Sequence, residues 1–200
     1  MRARFFQRLA LAAFAALAVS GGAAQAGGFM PTGERTTQPI GHWEFCQANP
    51  ERCAARSSDT RPIKLTRAIW SEILDVNTRV NAAVAPMTDM EMWGREELWS
   101  YPQGAGDCED YVLEKQRTLV DLGLPASALL ITVLRQPNGA GHAVLTIRTD
   151  RGDFVLDNLD PRVLLWDQTD YTYLKRQSER SAETWIAIED GRAVAVGSVR

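Results

Sequence analysis

Cysteine and histidine are scarce: 200 residues carry three of the first and two of the second. So few thiols exclude a disulfide-stapled scaffold. A chain this long, with 45% hydrophobic residues, buries enough surface to fold without one. No block of basic residues occurs and the formal net charge is -3, so the electrostatic footprint of a nucleic-acid binder is missing. No internal repeat is found, which sets repeat architectures aside. Beyond residue 26 no run is apolar enough to span a bilayer.

The first 26 residues are different. Arg2, Arg4 and Arg8 precede an apolar run from Leu9 to Val19, and Ala24-Gln25-Ala26 follows. A basic start, a short apolar stretch and an A-x-A site make a secretory signal peptide; an uncleaved anchor is the alternative. The expected organisation is a signal peptide at 1–26, a flexible leader at 27–37 and one domain at 38–200. The expected location is periplasmic or secreted. Export permits disulfides. Cys46 and Cys53 lie close together in a loop-rich stretch and are expected to pair, which leaves Cys108 without a partner.

Spacing predicts a helix over 63–84, where Ile63, Ala68, Ile69, Ile73, Val76, Val80 and Val84 recur every three or four residues before Pro86. Residues 38–61 read as loop and 88–106 as irregular. Asp107 in an N-cap position and Gly123 past the end frame a helix over 108–122, with Val112, Leu119 and Leu122 toward the core. Strands are expected at 129–134, 142–149, 154–157 and 184–188, with a turn at 137–141 and a tighter one at 150–153. In 142–149, Ala143, Leu145 and Ile147 share one face and His142, Val144 and Thr146 the other. A helix followed by an antiparallel meander is an α+β architecture.

A catalytic thiol needs something that stabilises the thiolate, a nearby imidazole, and a group that orients the imidazole. Cys108 falls in the first turn of a predicted helix, where the dipole and free N–H groups favour an anion. His142 opens one strand of a predicted hairpin and Asp157 closes the other, so pairing brings imidazole and carboxylate together. Taken singly, each has a plainer reading: a core cysteine, a strand-end histidine, a turn-forming aspartate. Their conjunction points to a Cys–His–Asp enzyme.

Three blocks, in order, carry a resemblance: Gly106-Asp107-Cys108-Glu109-Asp110-Tyr111, Gly141-His142-Ala143-Val144-Leu145 and Val155-Leu156-Asp157-Asn158-Leu159. Together with 39–46, Pro50, Cys53, Lys175-Arg176-Gln177-Ser178 and Trp185, they resemble the bacterial transglutaminase-like cysteine proteinases. That family includes the periplasmic LapG type, which releases large biofilm adhesins from the outer membrane. The resemblance implies a papain/transglutaminase-like α+β fold, with N-terminal helices packed on an antiparallel sheet. It implies Cys108 as nucleophile, His142 as general base and acid, and Asp157 as orienting group.

It further implies a Ca²⁺ site at Asp107 and Glu109, with Asp110 a further candidate. A physical motive runs in parallel: carboxylates beside a thiolate raise its pKa, and a hard cation offsets them. The plainer reading is that Asp107 caps the helix and Asp110 binds its free N–H groups. The Cys108 backbone N–H is a candidate oxyanion donor. Trp93, Trp99 and Gln103 are candidates for a second, although core packing is the preferred role of both tryptophans. The implied partners are an exported protein substrate, such as a large outer-membrane adhesin, and an inner-membrane cyclic-di-GMP receptor. Two alternatives remain open: acyl transfer to an amine by the same triad, as in a transglutaminase or amidase, and a non-catalytic calcium-stabilised binding module.

Overall fold

The computed structural model describes residues 28–54 and 58–191. The signal peptide expected at 1–26 lies outside them. Among the described residues no helix is long and apolar enough to cross a membrane.

A seven-stranded, wholly antiparallel sheet forms the body. In chain order its strands are β1 (Thr32–Thr36), β4 (Leu129–Arg135), β5 (Gly141–Thr149), β6 (Gly152–Leu156), β7 (Leu164–Leu165), β8 (Thr172–Gln177) and β9 (Trp185–Ile188). Across the sheet they run β1-β9-β8-β4-β5-β6-β7. Two-residue strands β2 (Ala85–Pro86) and β3 (Ala105–Gly106) make a separate parallel pair. The helices are α1 (Ile40–Ala48), α2 (Pro50–Cys53), α3 (Arg67–Ala83), α4 (Asp89–Trp93) and α5 (Cys108–Asp121).

Helix α5 lies on β4 and β5, with α3 beside it. The expected alternation in β5 holds. Ala143, Leu145 and Ile147 join the core under α5 with Val112, Leu113 and Leu119, while Val144 joins a second apolar cluster with Leu134, Val155 and Trp166. The sheet is therefore covered on both faces, and Val144 in β5 is as completely buried as Leu145. Truncating a core residue such as Leu119, which is 0% exposed, to alanine is expected to cost about 2–5 kcal/mol.

Several boundaries differ from those read in the sequence. The helix expected over 63–84 begins at Arg67, because Thr66 caps it by accepting from the Ile69 N–H at 3.2 Å. Ile63 instead bridges to Thr149 as extended chain. Residues 38–61 hold α1 and α2 where loop was expected. Gly41 in α1 serves close packing, since a Cβ there would collide with the Trp99 ring. The leader expected to be flexible contributes β1, paired with β9. Within 88–106, α4 is nucleated by a capping box between Thr88 and Glu91.

Leu122, expected in the core, is half exposed. The chain turns at Gly123, whose φ is +96°, and the Leu124 N–H bonds back to the Leu119 carbonyl at 3.0 Å. Leu124 then takes the buried place, as in a Schellman ending. Cys46 and Cys53 form a disulfide joining α1 and α2, as expected.

Candidate active site

Cys108 is the first residue of α5 and half-buried, and it is the free thiol among the described residues. Its Sγ donates to Glu109 Oε2 at 3.0 Å and accepts from the backbone N–H of Ala143. Ala143 adjoins His142 on β5, so the helix tip and the strand start meet. Cys108, Glu109, His142 and Ala143 line one cleft of about 390 Å³, closed by Trp99 and Lys175.

His142 and Asp157 are each buried, and His142 Nε2 lies 2.8 Å from Asp157 Oδ1. They are not direct cross-strand partners. Leu145 faces Leu156, and the same register puts Asp157 opposite Val144. Asp157 therefore reaches His142 along the diagonal, a distance longer side chains span. Tyr171 donates its O–H to Asp157 Oδ2 at 2.6 Å, and the Leu159 N–H donates to Oδ1 at 3.0 Å. From α3, Asn81 Nδ2 donates to the Asp157 carbonyl at 2.8 Å.

Burial alone would raise the Asp157 pKa, but the hydrogen bonds from His142, Tyr171 and Leu159 hold it below its ordinary value. An ionised carboxylate only accepts, so His142 Nε2 carries the proton and donates it toward Asp157. Nδ1 is then the ring nitrogen that carries no proton in the neutral imidazole.

The other side of Cys108 is acidic. Carboxylate oxygens of Asp89, Asp107 and Glu109 lie within 4.8 Å of one another. Asp89 arrives through the β2–β3 pair, in which Ala85 faces Ala105 and Pro86 faces Gly106. That pairing sets the first turn of α4 against the N-terminus of α5. The Asp89 N–H donates to Asp107 Oδ2 at 3.3 Å, and Asp89 Oδ2 accepts from the Leu98 N–H. Asp107 occupies the N-cap position, yet its side chain caps no helical N–H.

Asp110 stands outside this group of three. Its Oδ1 accepts from the Ser100 N–H at 2.9 Å. Gly106 makes room for it, since a Cβ at that position would lie 2.6 Å from Asp110 Oδ2. Asp89 Oδ1 and Asp107 Oδ1 are buried without a hydrogen-bond partner.

Burial and the charge of Asp107 push Glu109 up to about 8. Burial likewise raises Asp110 to about 7. Cys108 is raised well above an ordinary thiol, first by burial and then by the Glu109 charge. Among the candidate oxyanion donors, Trp99 is buried at the cleft, with Nε1 donating to Glu97 Oε2 at 3.3 Å. Trp93 and Gln103 are exposed, so Trp93 does not pack in the core as expected.

Comparison with known families decides the classification. The sequence profile of the bacterial transglutaminase-like cysteine proteinases matches residues 32–193. The chain belongs to that family. A transglutaminase-like cysteine proteinase is what the three sequence blocks led us to expect, and the mixed α+β architecture agrees with it.

Solved structures of LapG from Legionella pneumophila are similar in fold. One is 27% identical, covering 54% of this chain and 63% of that one, at a TM-score of 0.48. A calcium-bound form is 22% identical, covering 66% and 75%, with a TM-score of 0.51. An EGTA-treated form is 25% identical, covering 64% and 74%, also at 0.51. The chain thus spans slightly less than two thirds of the first of these proteins. No curated protein sequence matches significantly.

Asp89, Tyr171 and Asn81 were not picked out from the sequence of this proteinase. Only Asp89 left a usable signal: it sits inside the Thr88–Glu91 capping box, which marks a helix start.

Proposed function

We propose that this chain is a cysteine endopeptidase that cleaves peptide bonds in exported proteins through Cys108, His142 and Asp157. The carrying observation is the shared cleft. A thiol at a helix N-terminus touches the strand that bears an imidazole, and a buried carboxylate grips that imidazole's far nitrogen.

In the proposed cycle His142 Nδ1 takes the Cys108 proton and Sγ bonds to the substrate carbonyl carbon. The carbonyl π pair moves to oxygen, near the Cys108 backbone N–H. Collapse breaks the C–N bond as His142 protonates the departing amine, which leaves a thioester. His142 then deprotonates water, whose oxygen attacks the thioester, and the acid and the free thiol are released. Asp157 holds the imidazole in the required tautomer throughout.

Asp89, Asp107 and Glu109 would hold Ca²⁺. Hard carboxylate oxygens suit that ion, and the two buried oxygens without partners are the places a cation fits. When bound, the ion offsets the negative charge that raises the Cys108 thiol.

The substrate we favour is a large outer-membrane adhesin in the periplasm, with an inner-membrane cyclic-di-GMP receptor as regulator. Trp43 and Trp93, each about half exposed, are the tryptophans available to such a receptor. The test is cleavage of exported proteins by the Cys108→Ala and His142→Ala variants. Undiminished cleavage by either one removes the proposal.

A further inference from the structure

Of the block Lys175-Arg176-Gln177-Ser178, Arg176 and Gln177 are buried. Lys175 instead lines the cleft that holds Cys108 and His142. The proposed cycle gives it no part.

A register shift aims it there. Val133 and Leu134 are consecutive on β4, yet they face Lys175 and Tyr173, which are two apart on β8. Leu174 is therefore the extra residue of a bulge, and bulges re-aim neighbouring side chains. Tyr173 joins Leu134 in the apolar cluster on one face of the sheet. Lys175 shares the opposite face with Val133 and Ala143, the face that α5 covers. Regular pairing would have left Lys175 on the face of Tyr173. Lys175, Val133 and Ala143 thus form one row across three adjacent strands. Strands lie about 4.8 Å apart, so the lysine backbone stands about 10 Å from that of Ala143. The Ala143 N–H in turn bonds the Cys108 sulfur.

The ammonium has no carboxylate. Among the described residues Nζ donates to the Thr37 carbonyl at 2.8 Å and lies 5.9 Å from the centre of the Trp185 ring, and no ion pair includes it. Two acids line the same cleft, but both are engaged elsewhere. Glu109 accepts from the Cys108 thiol at 3.0 Å and Glu97 from Trp99 Nε1 at 3.3 Å. An ammonium has more donors than one carbonyl uses.

The direction of the substrate follows from the acid that must protonate it. The leaving amine has to meet His142, whose ring turns toward Asp157 at the end of β6. Lys175 lies on the other side of β5, across β4. The half of the substrate that becomes the acyl group therefore runs toward Lys175. An extended chain advances about 3.3 Å per residue, so a side chain about two residues before the scissile bond reaches the ammonium.

We propose that Lys175 is a specificity-determining residue, its ammonium receiving an acidic side chain of the substrate on the acyl side of the scissile bond. The inference rests on the proposed reading of Cys108 as nucleophile and His142 as acid, and it narrows the substrate class.

Three dipeptidyl chloromethyl ketones test this at the thiol itself: acetyl-Glu-Ala, acetyl-Gln-Ala and acetyl-Lys-Ala. Sγ bonds to the methylene carbon as chloride leaves, and the thiol proton passes to buffer. Intact mass reads the rate at pH 8 in saturating calcium. The Glu reagent should label about three- to fivefold faster than the Gln reagent, with the Lys reagent slowest. Lys175→Met should bring the Glu and Gln reagents level, and Lys175→Glu should make the Lys reagent the fastest. A lysine that merely anchors Thr37 would lower the melting temperature when replaced and leave the ratio of rates where it was.

Equal rates for the Glu and Gln reagents in the unsubstituted protein overturn the proposal without recourse to any variant. So does a preference for Glu that survives in Lys175→Met, or a thiol that iodoacetamide labels and none of the ketones does. Labelling needs no hydrolysis. A chain that shows the preference but cleaves nothing refutes the proposed function alone, and equal labelling in an active peptidase refutes only the role of Lys175.

Discussion

The two flanks of Cys108 are built on opposite principles. Toward β5 and β6, His142 and Asp157 form a dry corner in which each polar atom of the carboxylate is satisfied: Oδ1 by His142 and Leu159, Oδ2 by Tyr171, and the backbone carbonyl by Asn81. Toward α4 and the start of α5, Asp89, Asp107 and Glu109 crowd together with two buried oxygens unpartnered. The first corner is completed by protein atoms and should hold its geometry under most conditions. On the proposed function, the second is completed by a cation the polypeptide does not supply. On that same reading, one flank orients the imidazole and the other sets when the thiol is usable.

The largest effect should come from breaking both flanks at the centre. Cys108→Ala should abolish cleavage, and His142→Ala should lower kcat/KM by about a thousandfold or more, read from the initial rate on an exported protein substrate. Next is the acidic flank. Chelation, or Asp89→Asn with Asp107→Asn, should reduce activity by about ten- to a hundredfold. Calcium should raise the melting temperature, more at pH 8 than at pH 5, because the ligands bind as carboxylates. Equal melting with and without calcium at pH 8 would dissolve the contrast between the flanks.

The disulfide joins α1 to α2 and contributes neither of its cysteines to the cleft lining. Cys46→Ser with Cys53→Ser should cost about 2–3 kcal/mol in denaturant unfolding, the entropy of a short closed loop. It should leave the pH profile of cleavage unmoved. Tyr171→Phe removes one donor from the satisfied corner. It should cost about 1–2 kcal/mol and slow cleavage several-fold.

The smallest effect concerns Lys115. Burial lowers it to about 7 from an ordinary 10.5. Between those values the unfolded chain holds a proton that the native state has lost, so stability should rise with pH across that window. Lys115→Met should flatten the rise, as read from unfolding midpoints at pH 7 and pH 10.

Much of the fold was legible wherever one pattern ruled a segment. Helix α5 announced itself by Asp107, its periodic apolar face and Gly123, and β4 to β6 by alternation and turn residues. Strand β8 was not legible, because Thr172–Gln177 carries Arg176 and Gln177 at buried positions. Those side chains are tolerated inside only because Asp153 pairs with Arg176 and the Ile131 N–H bonds Gln177. No local pattern reveals such partners.

Asp89 was hidden for a related reason: a two-residue strand pair joins it to Asp107 across a distance no spacing rule covers. Asp107 itself looked like a helix cap and instead turns toward Asp89. In the candidate site, Cys108 and His142 stood out as candidates because the sequence holds three cysteines and two histidines, whereas Asp157 stood out by its place at the end of the predicted hairpin and by the family resemblance. The groups that hold them did not.

The most direct test exploits the disulfide, which leaves Cys108 as the free thiol among the described residues. Alkylation by iodoacetamide, followed by intact mass in saturating calcium, then measures its reactivity without assuming a substrate. If His142 Nδ1 draws off the thiol proton, His142→Ala should slow labelling at neutral pH by about a hundredfold. Equal labelling rates for the two proteins would mean that the imidazole does not act on this sulfur.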